Sequence, residues 1–471
     1  MRKNEGITLI MLIITIVIML ILLGVSTKII IDNEMFSKTE NAVGQTNNRI
    51  KKDDDETNYL LGELNNTRQN QCNHNWVDDK VITEATCTTA GSKSQKCSKC
   101  PATRTVEIPT IEHTYVNGAC TVCGAIAAGT KAATNAEYID SAGNKAIIPA
   151  GFTVSGKNSE KTISEGLVIY RINDKTTAEI ATINWEDETT VETLKQTYDQ
   201  FVWIPVTNVN SMFMCQSKTA DDDGCTIELV DEKPTCTTHN STQMAGRLYA
   251  TSYGDNNFDS SLTTQTYTAD SGLREPAIVS SDSSNNIELT NLQEEYNSAV
   301  TKVIESKGFW IGRYETSGMD SSNDDVEVNI VAGKGTSDGI CSINWFRQYK
   351  QQQNYASKKL DTTKIQSTMI FGAAWDQTML FANCATETIT TKDLSTVITG
   401  NISTDCYNNI YDLCGNLGEW TTEAYASTPR VYRGGSYDSS RSAGNRGTRP
   451  PFYIPSEAES LGSRLSLYVS L

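Results

Sequence analysis

Three short stretches near the C-terminus constrain the fold of this chain more than any other feature, because their identity and order leave few alternatives. Residues 411–421 read YDLCGNLGEWT, residues 433–437 read RGGSY, and residues 462–464 read GSR. No cysteine follows Cys414. A thiolate is both a soft metal ligand and a redox group, so thiol chemistry is excluded from the end of the chain.

These stretches resemble the closing motifs of the formylglycine-generating enzyme (sulfatase-modifying factor) family, whose members read Y-D-x-x-G-N-x-W-E-W-T, R-G-G-S-[WY] and G-F-R. Residues 308–316, 343–356 and 367–376 are similar to earlier family phrases in the same order. The resemblance implies an α+β fold of the C-type-lectin-like (formylglycine-generating-enzyme-like) class over residues 135–471. It also implies a Ser/Thr/Asp-rich insertion near residues 207–300.

The resemblance separates the fold from the chemistry of the family. Catalytic members carry two copper-binding cysteines after the G-G-S-Y motif, and the same offsets fall on Gly444 and Arg449 here. Glycine and arginine cannot supply a thiolate, so we expect no enzyme activity of this kind. A formylglycine-generating-type oxidising enzyme stays as the alternative, which would need another set of thiols.

The family also builds a calcium site around its G-N-x-W-E-W turn. The resemblance implies carboxylate ligands from Asp412 and Glu419, with backbone oxygens near Gly415 and Leu417. Carboxylate and carbonyl oxygens suit calcium. The alternative is that Asp412 caps a turn and Glu419 is a surface or hydrogen-bonded residue. Gly418 stands where the family has tryptophan.

The tail between residues 437 and 463 mixes aromatic, small polar and cationic residues. It has six Ser, three Gly, three Pro and three Arg, a composition typical of antibody-like binding surfaces. It resembles the variable tail of C-type-lectin-fold proteins diversified by retroelements, which implies a ligand-binding face; the alternative is an ordinary surface loop. The candidate binding residues are Tyr437, Asp438, Ser440, Arg441, Asn445, Arg446, Thr448, Arg449, Phe452, Tyr453, Ser456, Glu457 and Glu459.

The N-terminus predicts a membrane anchor. Residues 7–25 form a 19-residue apolar run, which spans roughly 28 Å as a helix and so crosses the core of a bilayer. Arg2 and Lys3 precede it, and positive charge favours the cytoplasmic side. The rest of the chain would then lie outside the cell. A cleaved secretory signal is the alternative.

The residues around Gly6 resemble the start of type IV pilin-like proteins, which are cleaved after that glycine. Met11 stands where pilins carry a glutamate that assists filament assembly, so the resemblance implies an anchor over residues 1–28 more than a pilus-like assembly. Residues 29–70 have an imperfect apolar stripe and predict a helical stalk.

A Cys/His-rich module follows over residues 71–125. Cys97-x2-Cys100 and Cys120-x2-Cys123 are 19 residues apart and fit a zinc-ribbon spacing, in which both pairs bind one tetrahedral ion. His74-x-Trp76 is repeated as His113-x-Tyr115, and Cys87 has no counterpart in the second copy, which therefore reads as truncated. The predicted zinc ligands are Cys97, Cys100, Cys120, Cys123, His74, Cys87 and His113. Disulfides outside the cell are the alternative.

The remaining seven cysteines are odd in number, so at least one is free or pairs elsewhere. They are Cys215, Cys225, Cys236, Cys341, Cys384, Cys406 and Cys414. His239 has no nearby nucleophile in the sequence and receives no role.

The net charge of −17 and the lack of a basic stripe exclude nucleic acid as a partner. Together these features predict a membrane-anchored protein of the bacterial cell surface, an adhesin or receptor whose tail binds an extracellular protein or glycan. A minor pilin with a binding domain at the filament tip is a further alternative.

Overall fold

The computed structural model describes residues 16–18, 59, 72–215, 225–246, 275, 292–360, 364–383, 397–424, 429–437, 451–453 and 458–471. Residues 16–18 are helical, and the rest of the predicted anchor lies outside the described residues, as does the predicted stalk apart from Tyr59. No helix in the described part of the chain is long and apolar enough to cross a membrane. Contacts divide the chain into one unit of residues 1–85 and 90–109, and another of residues 86–89 and 110–471.

The first unit contains a three-stranded antiparallel sheet of β1 (Trp76–Thr83), β2 (Gly91–Cys97) and β3 (Thr103–Ile108). Most of its side chains are exposed, and within its described residues only Gly91, Cys97 and Ala102 are buried. Ion pairs on this sheet, such as Asp78 with Lys93 at 2.8 Å, are solvent-exposed and contribute little. A sheet with so small an apolar core needs another source of stability.

The second unit is larger and mixes strands with helices. Its strands are β4 (Tyr115–Val116), β5 (Ala119–Cys120), β6 (Ala136–Ile139), β7 (Lys145–Ile148), β8 (Thr153–Val154), β9 (Val168–Tyr170), β10 (Gln200–Pro205), β11 (Phe213–Cys215), β12 (Ile227–Val230), β13 (Lys233–Cys236), β14 (Met244–Gly246), β15 (Gly308–Gly312), β16 (Ile365–Met369), β17 (Cys406–Tyr407), β18 (Ile410–Tyr411), β19 (Gly418–Ala424), β20 (Pro429–Arg433), β21 (Pro451–Tyr453), β22 (Leu461–Ser463) and β23 (Leu465–Val469). Its α-helices are α1 (Thr177–Ile180), α2 (Glu188–Thr197), α3 (Leu292–Ser306), α4 (Trp345–Gln353), α5 (Tyr355–Lys359) and α6 (Gly372–Ala382), and short 3₁₀ turns occur at Asn158–Glu160, Val209–Ser211 and Thr336–Asp338.

A six-stranded antiparallel sheet in the order β16-β23-β15-β10-β9-β8 forms the centre of this unit. Successive side chains of a strand point to opposite faces. On β10, Val202 and Ile204 pack into one apolar cluster, whereas Phe201 and Trp203 pack into another. The sheet is therefore buried on both faces, which explains why β10 and β15 are continuous apolar runs rather than alternating ones.

The segment predicted to be an insertion contributes to this core. Helix α3 buries Leu292, Tyr296, Ala299, Val300 and Val303, which share one helical face. β11 and β14 pair with each other and add further residues to the same cluster. The described part of residues 207–300 therefore packs as an integral part of the unit.

A second sheet, in the order β21-β20-β19-β22, carries the C-terminal motifs. β19 pairs antiparallel with β20 and parallel with β22, so that Glu419 lies beside both Arg433 and Gly462. Pairing between strands distant in the chain brings the three motifs together. The prediction of a mixed α+β fold is confirmed, and its assignment to the C-type-lectin class stays a prediction.

Candidate metal centres and the tail scaffold

The first metal-ligand group consists of Cys72, His74, Cys97 and Cys100, whose ligand atoms all lie within 4.8 Å of one another. Cys72 and His74 precede β1, Cys97 ends β2, and Cys100 lies in the turn that follows. The Sγ atoms of Cys72 and Cys97 are 3.8 Å apart, and Cys100 Sγ is 3.4 Å from His74 Nδ1. Three sulfurs and one imidazole nitrogen thus face a common centre.

Hydrogen bonds favour the thiolate form of Cys97. Burial opposes its ionisation, but the Lys99 N–H, at 3.3 Å from the sulfur, and the His74 side chain outweigh burial and lower the pKa of Cys97 to about 6. Burial and hydrogen bonds with Cys100 and Cys97 raise the pKa of Cys72 to about 11. Crowded thiols of this kind ionise together only when a cation balances them.

The second group consists of Cys87, His113, Cys120 and Cys123, again within 4.8 Å of one another. Cys87 Sγ is 3.8 Å from Cys120 Sγ, and Cys123 Sγ is 3.5 Å from His113 Nδ1. Backbone N–H groups of Cys123 and Val122 lower the pKa of Cys120 to about 5, against the opposing effect of burial. The four residues belong to the second unit.

The two groups share the same local structure. In each, the first cysteine of the CxxC pair donates its N–H to an alanine oxygen five residues on, from Cys97 to Ala102 at 2.9 Å and from Cys120 to Ala125 at 2.8 Å. In each, the histidine packs against the aromatic residue two positions later, with ring centroids 4.7 Å apart for His74 and 5.6 Å apart for His113. The predicted internal repeat is therefore present in three dimensions.

The predicted sharing of one ion by both CxxC pairs is wrong. Each pair belongs to its own group, completed by a histidine and a further cysteine from earlier in the chain. The prediction also omitted Cys72 from the ligands and read the second copy as truncated, whereas Cys87 completes that copy. Because Cys87 precedes the CxxC pair of the first group in the sequence, the two copies are interleaved, which made the second copy look truncated.

A Cys₃His donor set suits a structural metal. Three soft sulfurs and one imidazole complete a tetrahedral shell and leave no position open for a substrate. Both groups can therefore hold a structural metal ion, and the identity of that metal as zinc stays a prediction.

Arg464, the last residue of the third C-terminal motif, connects the motifs in the core. Its Nε donates to Glu419 Oε1 and Oε2 at 2.9 and 3.1 Å. Its two terminal nitrogens donate to the backbone oxygens of Gly312 and Tyr411 at 2.9 and 2.8 Å. The side chains of Arg464 and Glu419 are fully buried, so Arg464 holds β15, β18 and β19 in one arrangement.

Buried carboxyl groups surround this arginine. Glu315 accepts the N–H of Leu417 at 3.0 Å and also the Asn416 amide. Burial, together with the charges of Asp412 and Glu419, raises the pKa of Glu315 well above its usual range. Asp412 accepts the Gly400 N–H at 2.7 Å, and burial followed by the charge of Asp405 raises its pKa to about 8.

This geometry does not join the predicted calcium ligands into one tight group. Both carboxylate oxygens of Glu419 accept hydrogen bonds from Arg464 Nε. The groups of clustered metal-ligand atoms among the described residues do not include Asp412 or Glu419, although Gly415 lies close to the buried Asp405. The calcium site stays a prediction.

The RGGSY motif fixes the start of the tail. Arg433 is fully buried and forms ion pairs with Asp376 and with Glu423. Gly434 has a φ of 76°, and a Cβ at this position would lie 2.8 Å from the Leu413 oxygen. Only glycine meets both demands without strain.

Close packing around Gly418 explains why this position has no large side chain. A Cβ on Gly418 would lie 2.8 Å from side-chain atoms of both Leu461 and Tyr432. The space that a tryptophan would need is therefore filled by the neighbouring strands β22 and β20.

Few of the predicted binding residues fall in the described part of the chain. Tyr437 is half-buried, Glu459 is exposed, and the backbones of Phe452 and Tyr453 form the edge strand β21. Asp438, Ser440, Arg441, Asn445, Arg446, Thr448, Arg449, Ser456 and Glu457 lie outside the described residues, as does Gly444.

The sequence did not reveal the buried charged residues that hold the C-terminal motifs together. Glu315, Asp376 and Arg464 are buried charged residues, and their partners come from distant parts of the chain. A charged residue within an apolar strand-like stretch, such as Glu315 after the β15 run, is the signal that would have indicated a buried partner.

No family model matches the chain, and no curated protein sequence matches it. Among solved structures, PvdO from Pseudomonas aeruginosa is similar at 15% identity, over 35% of this chain and 82% of that one, with a TM-score of 0.24. Treponema denticola variable protein 1 is similar at 14% identity, over 58% of this chain and 96% of that one, with a TM-score of 0.20. Scores this low establish neither a shared fold nor a shared function.

Proposed function

We propose that this chain is a membrane-anchored protein of the bacterial cell surface, whose C-terminal tail binds an extracellular protein or glycan. The observation that carries the proposal is the fixation of both ends of the tail. The Tyr437 N–H donates to the Asn416 oxygen at 2.8 Å at one end, and Ser342 and Gly418 donate to the oxygens of Ala458 and Ser460 at 3.0 and 2.9 Å at the other.

A segment with fixed ends and a variable middle suits recognition. Rigid support reduces the entropy lost when a loop orders on binding. The residues between the fixed ends combine Arg, Ser, Gly and aromatic side chains, which supply charged anchors, adaptable hydrogen bonds and contact area. The strand β21, which contains Phe452 and Tyr453, lies at the edge of its sheet.

The rest of the chain supports display rather than catalysis. In this proposal residues 7–25 anchor the protein, the following segment forms a stalk, and structural zinc holds the two Cys₃His groups. We further propose that the chain performs no formylglycine-type oxidation, because Gly444 and Arg449 occupy the positions of the copper-binding cysteines. Copper-dependent turnover of a cysteine-containing sulfatase peptide would overturn this part of the proposal.

The test is a binding measurement with the full-length protein, immobilised and presented with arrayed glycans and purified extracellular proteins. For the ligand found, we expect Arg449→Ala, Phe452→Ala and Tyr453→Ala to weaken binding, at least one of them by about tenfold or more, as hot-spot residues do. Lys233→Ala, at an exposed cation on β13, is the matched control and should bind normally. Unchanged binding in all three tail variants would refute the assigned face.

A further inference from the structure

A third cluster of cysteines lies in the segment between β10 and α3. Cys215 is the last residue of β11, Cys225 precedes β12, and Cys236 is the last residue of β13. Their sulfur atoms all lie within 4.8 Å of one another, and those of Cys225 and Cys236 are 2.8 Å apart. All three side chains are buried, at 0%, 4% and 0% exposure.

Pairing between strands brings these cysteines together in a rigid setting. Cys215 lies opposite Met244 in the β11–β14 pair, and Cys236 lies opposite Ile227 in the β12–β13 hairpin. The Cys236 N–H also donates to the Ser241 oxygen at 2.8 Å. All three cysteines belong to the apolar cluster that includes helix α3, so their convergence is part of the core.

The chain supplies a fourth donor close by. His239 follows Cys236 with the spacing Cys-x2-His. The backbone N–H of His239 donates to the backbone oxygen of Cys236 at 3.3 Å in a tight turn. Chelating pairs of zinc ligands are commonly separated by two residues, as are the CxxC pairs of the two groups described above. His239 is half-buried, and its ring nitrogens are not among the ligand atoms that lie within 4.8 Å of one another, so coordination requires a change in its side-chain conformation.

We propose that Cys215, Cys225 and Cys236, completed by His239, form a third metal site that binds a thiophilic ion of the zinc class. Three thiolates select a soft or borderline ion over calcium or magnesium, and four protein ligands make the site structural. The ion ties the β12–β13 hairpin to β11 within the apolar cluster that already holds both elements. The site is independent of the two Cys₃His groups and of the proposed binding function.

The competing arrangement is a disulfide between Cys225 and Cys236, which leaves Cys215 as a thiol. The two arrangements differ in metal content and in mass. Metal binding displaces the thiol protons, which are regained when the metal is removed by acid. Oxidation to the disulfide removes two hydrogens, requires an external oxidant and is reversed by a reductant rather than by acid.

The experiment is metal analysis of the full-length protein purified with zinc under reducing conditions. Because the described residues contain three ligand groups, we expect three zinc ions per chain. Cys215→Ser and His239→Ala should each lower the content by one, and Cys341→Ser, at a buried cysteine outside the groups, should retain all three. Two zinc ions in the wild-type protein, or unchanged content in both ligand variants, would overturn the proposal. So would a Cys225–Cys236 disulfide found by peptide mass analysis of that preparation.

A second measurement covers the case in which Cys215→Ser does not fold. The double variant Cys100→Ser, Cys123→Ser disables the first two groups and leaves the third intact. After reconstitution with Co²⁺, this variant should still show the intense thiolate-to-cobalt charge-transfer absorption of a tetrahedral site, at about one ion per chain. Absence of that absorption would refute the third site, whereas loss of zinc from the first two groups alone would not.

Discussion

At the residue scale, buried charges hold the second unit together. Arg464 with Glu419, Arg433 with Asp376 and Arg313 with Glu160 are ion pairs whose side chains are at most 2% exposed. Removing one member of such a pair leaves the other charge buried and unpaired in a region of low dielectric constant. Each pair is therefore a point at which a single substitution has a large effect on stability.

The substitution Arg464→Ala tests the contribution of the buried Arg464–Glu419 ion pair to stability. We expect the free energy of unfolding to fall by about 3–5 kcal/mol, because Glu419 loses its partner and two backbone oxygens lose a donor. Urea denaturation followed by tryptophan fluorescence measures the change. Lys145→Ala is the control, since its ion pair with Glu137 is exposed and should cost less than about 1 kcal/mol. Equal effects of the two substitutions would contradict the role of Arg464.

Glu295 predicts a dependence of stability on pH. Burial raises its pKa to about 7, whereas an unfolded glutamate has a pKa of about 4.3. The folded state thus holds this proton more tightly, so its contribution to stability is present below about pH 4 and is lost as pH rises towards 7.

Glu295→Gln removes this titration while keeping the size of the side chain. Its contacts with the Tyr349 hydroxyl and the Gln353 amide can be re-formed, because both groups can donate or accept. We expect the variant to lose less stability than the wild-type protein between pH 4 and pH 7, as measured by urea denaturation at several pH values. Parallel pH profiles for the two proteins would show that Glu295 does not titrate in this range.

At the scale of elements, we expect the β1–β3 sheet to depend on metal bound by its Cys/His group. Within the described residues this unit buries only Gly91, Cys97 and Ala102, which is too little apolar area to order a sheet. A metal that binds the folded but not the unfolded arrangement would supply the missing free energy. The β10, β15 and β23 strands, by contrast, are buried on both faces.

Removal of the metal with a strong chelator should therefore act unequally on the two sheets. We expect amide hydrogens of β1, β2 and β3 to exchange with solvent much faster after chelation, and those of β10, β15 and β23 to keep their protection. Hydrogen-exchange mass spectrometry resolves the two sets of peptides. Cys100→Ser should reproduce the effect without a chelator. Unchanged protection of β1–β3 would mean that the sheet is ordered without metal.

At the scale of the whole molecule, the C-terminal motifs form a frame around the tail. Arg433, Gly434 and Arg464 are tied to the core by ion pairs and close backbone approaches, and they cannot change without cost. Residues 438–457 lie between these fixed points. A frame of this kind permits variation in the middle of the tail while the ends stay constant.

Sequencing the coding DNA for residues 430–471 and its flanks across a population of the source organism tests this division. We expect substitutions to concentrate in the codons of the candidate binding residues and to spare those for Arg433, Gly434 and Arg464. Retroelement diversification further predicts changes confined to adenines of a nearby template repeat, beside a reverse transcriptase gene. An invariant tail with no template would contradict diversification and leave a fixed surface protein.

The sequence by itself determined the local elements, because β-branched and aromatic runs such as those of β10 and β15 have strong strand preferences wherever they occur. It also indicated most ligands of the first two metal groups, through the CxxC pairs and their histidines, but not Cys72 or the third group. The tertiary structure decided the partners: Cys72 meets Cys97, and Cys87 meets Cys120, across 25 and 33 residues of chain. It likewise decided that Glu315, Glu419 and Arg464 meet in the core, since long-range contacts of this kind leave no local pattern in the sequence.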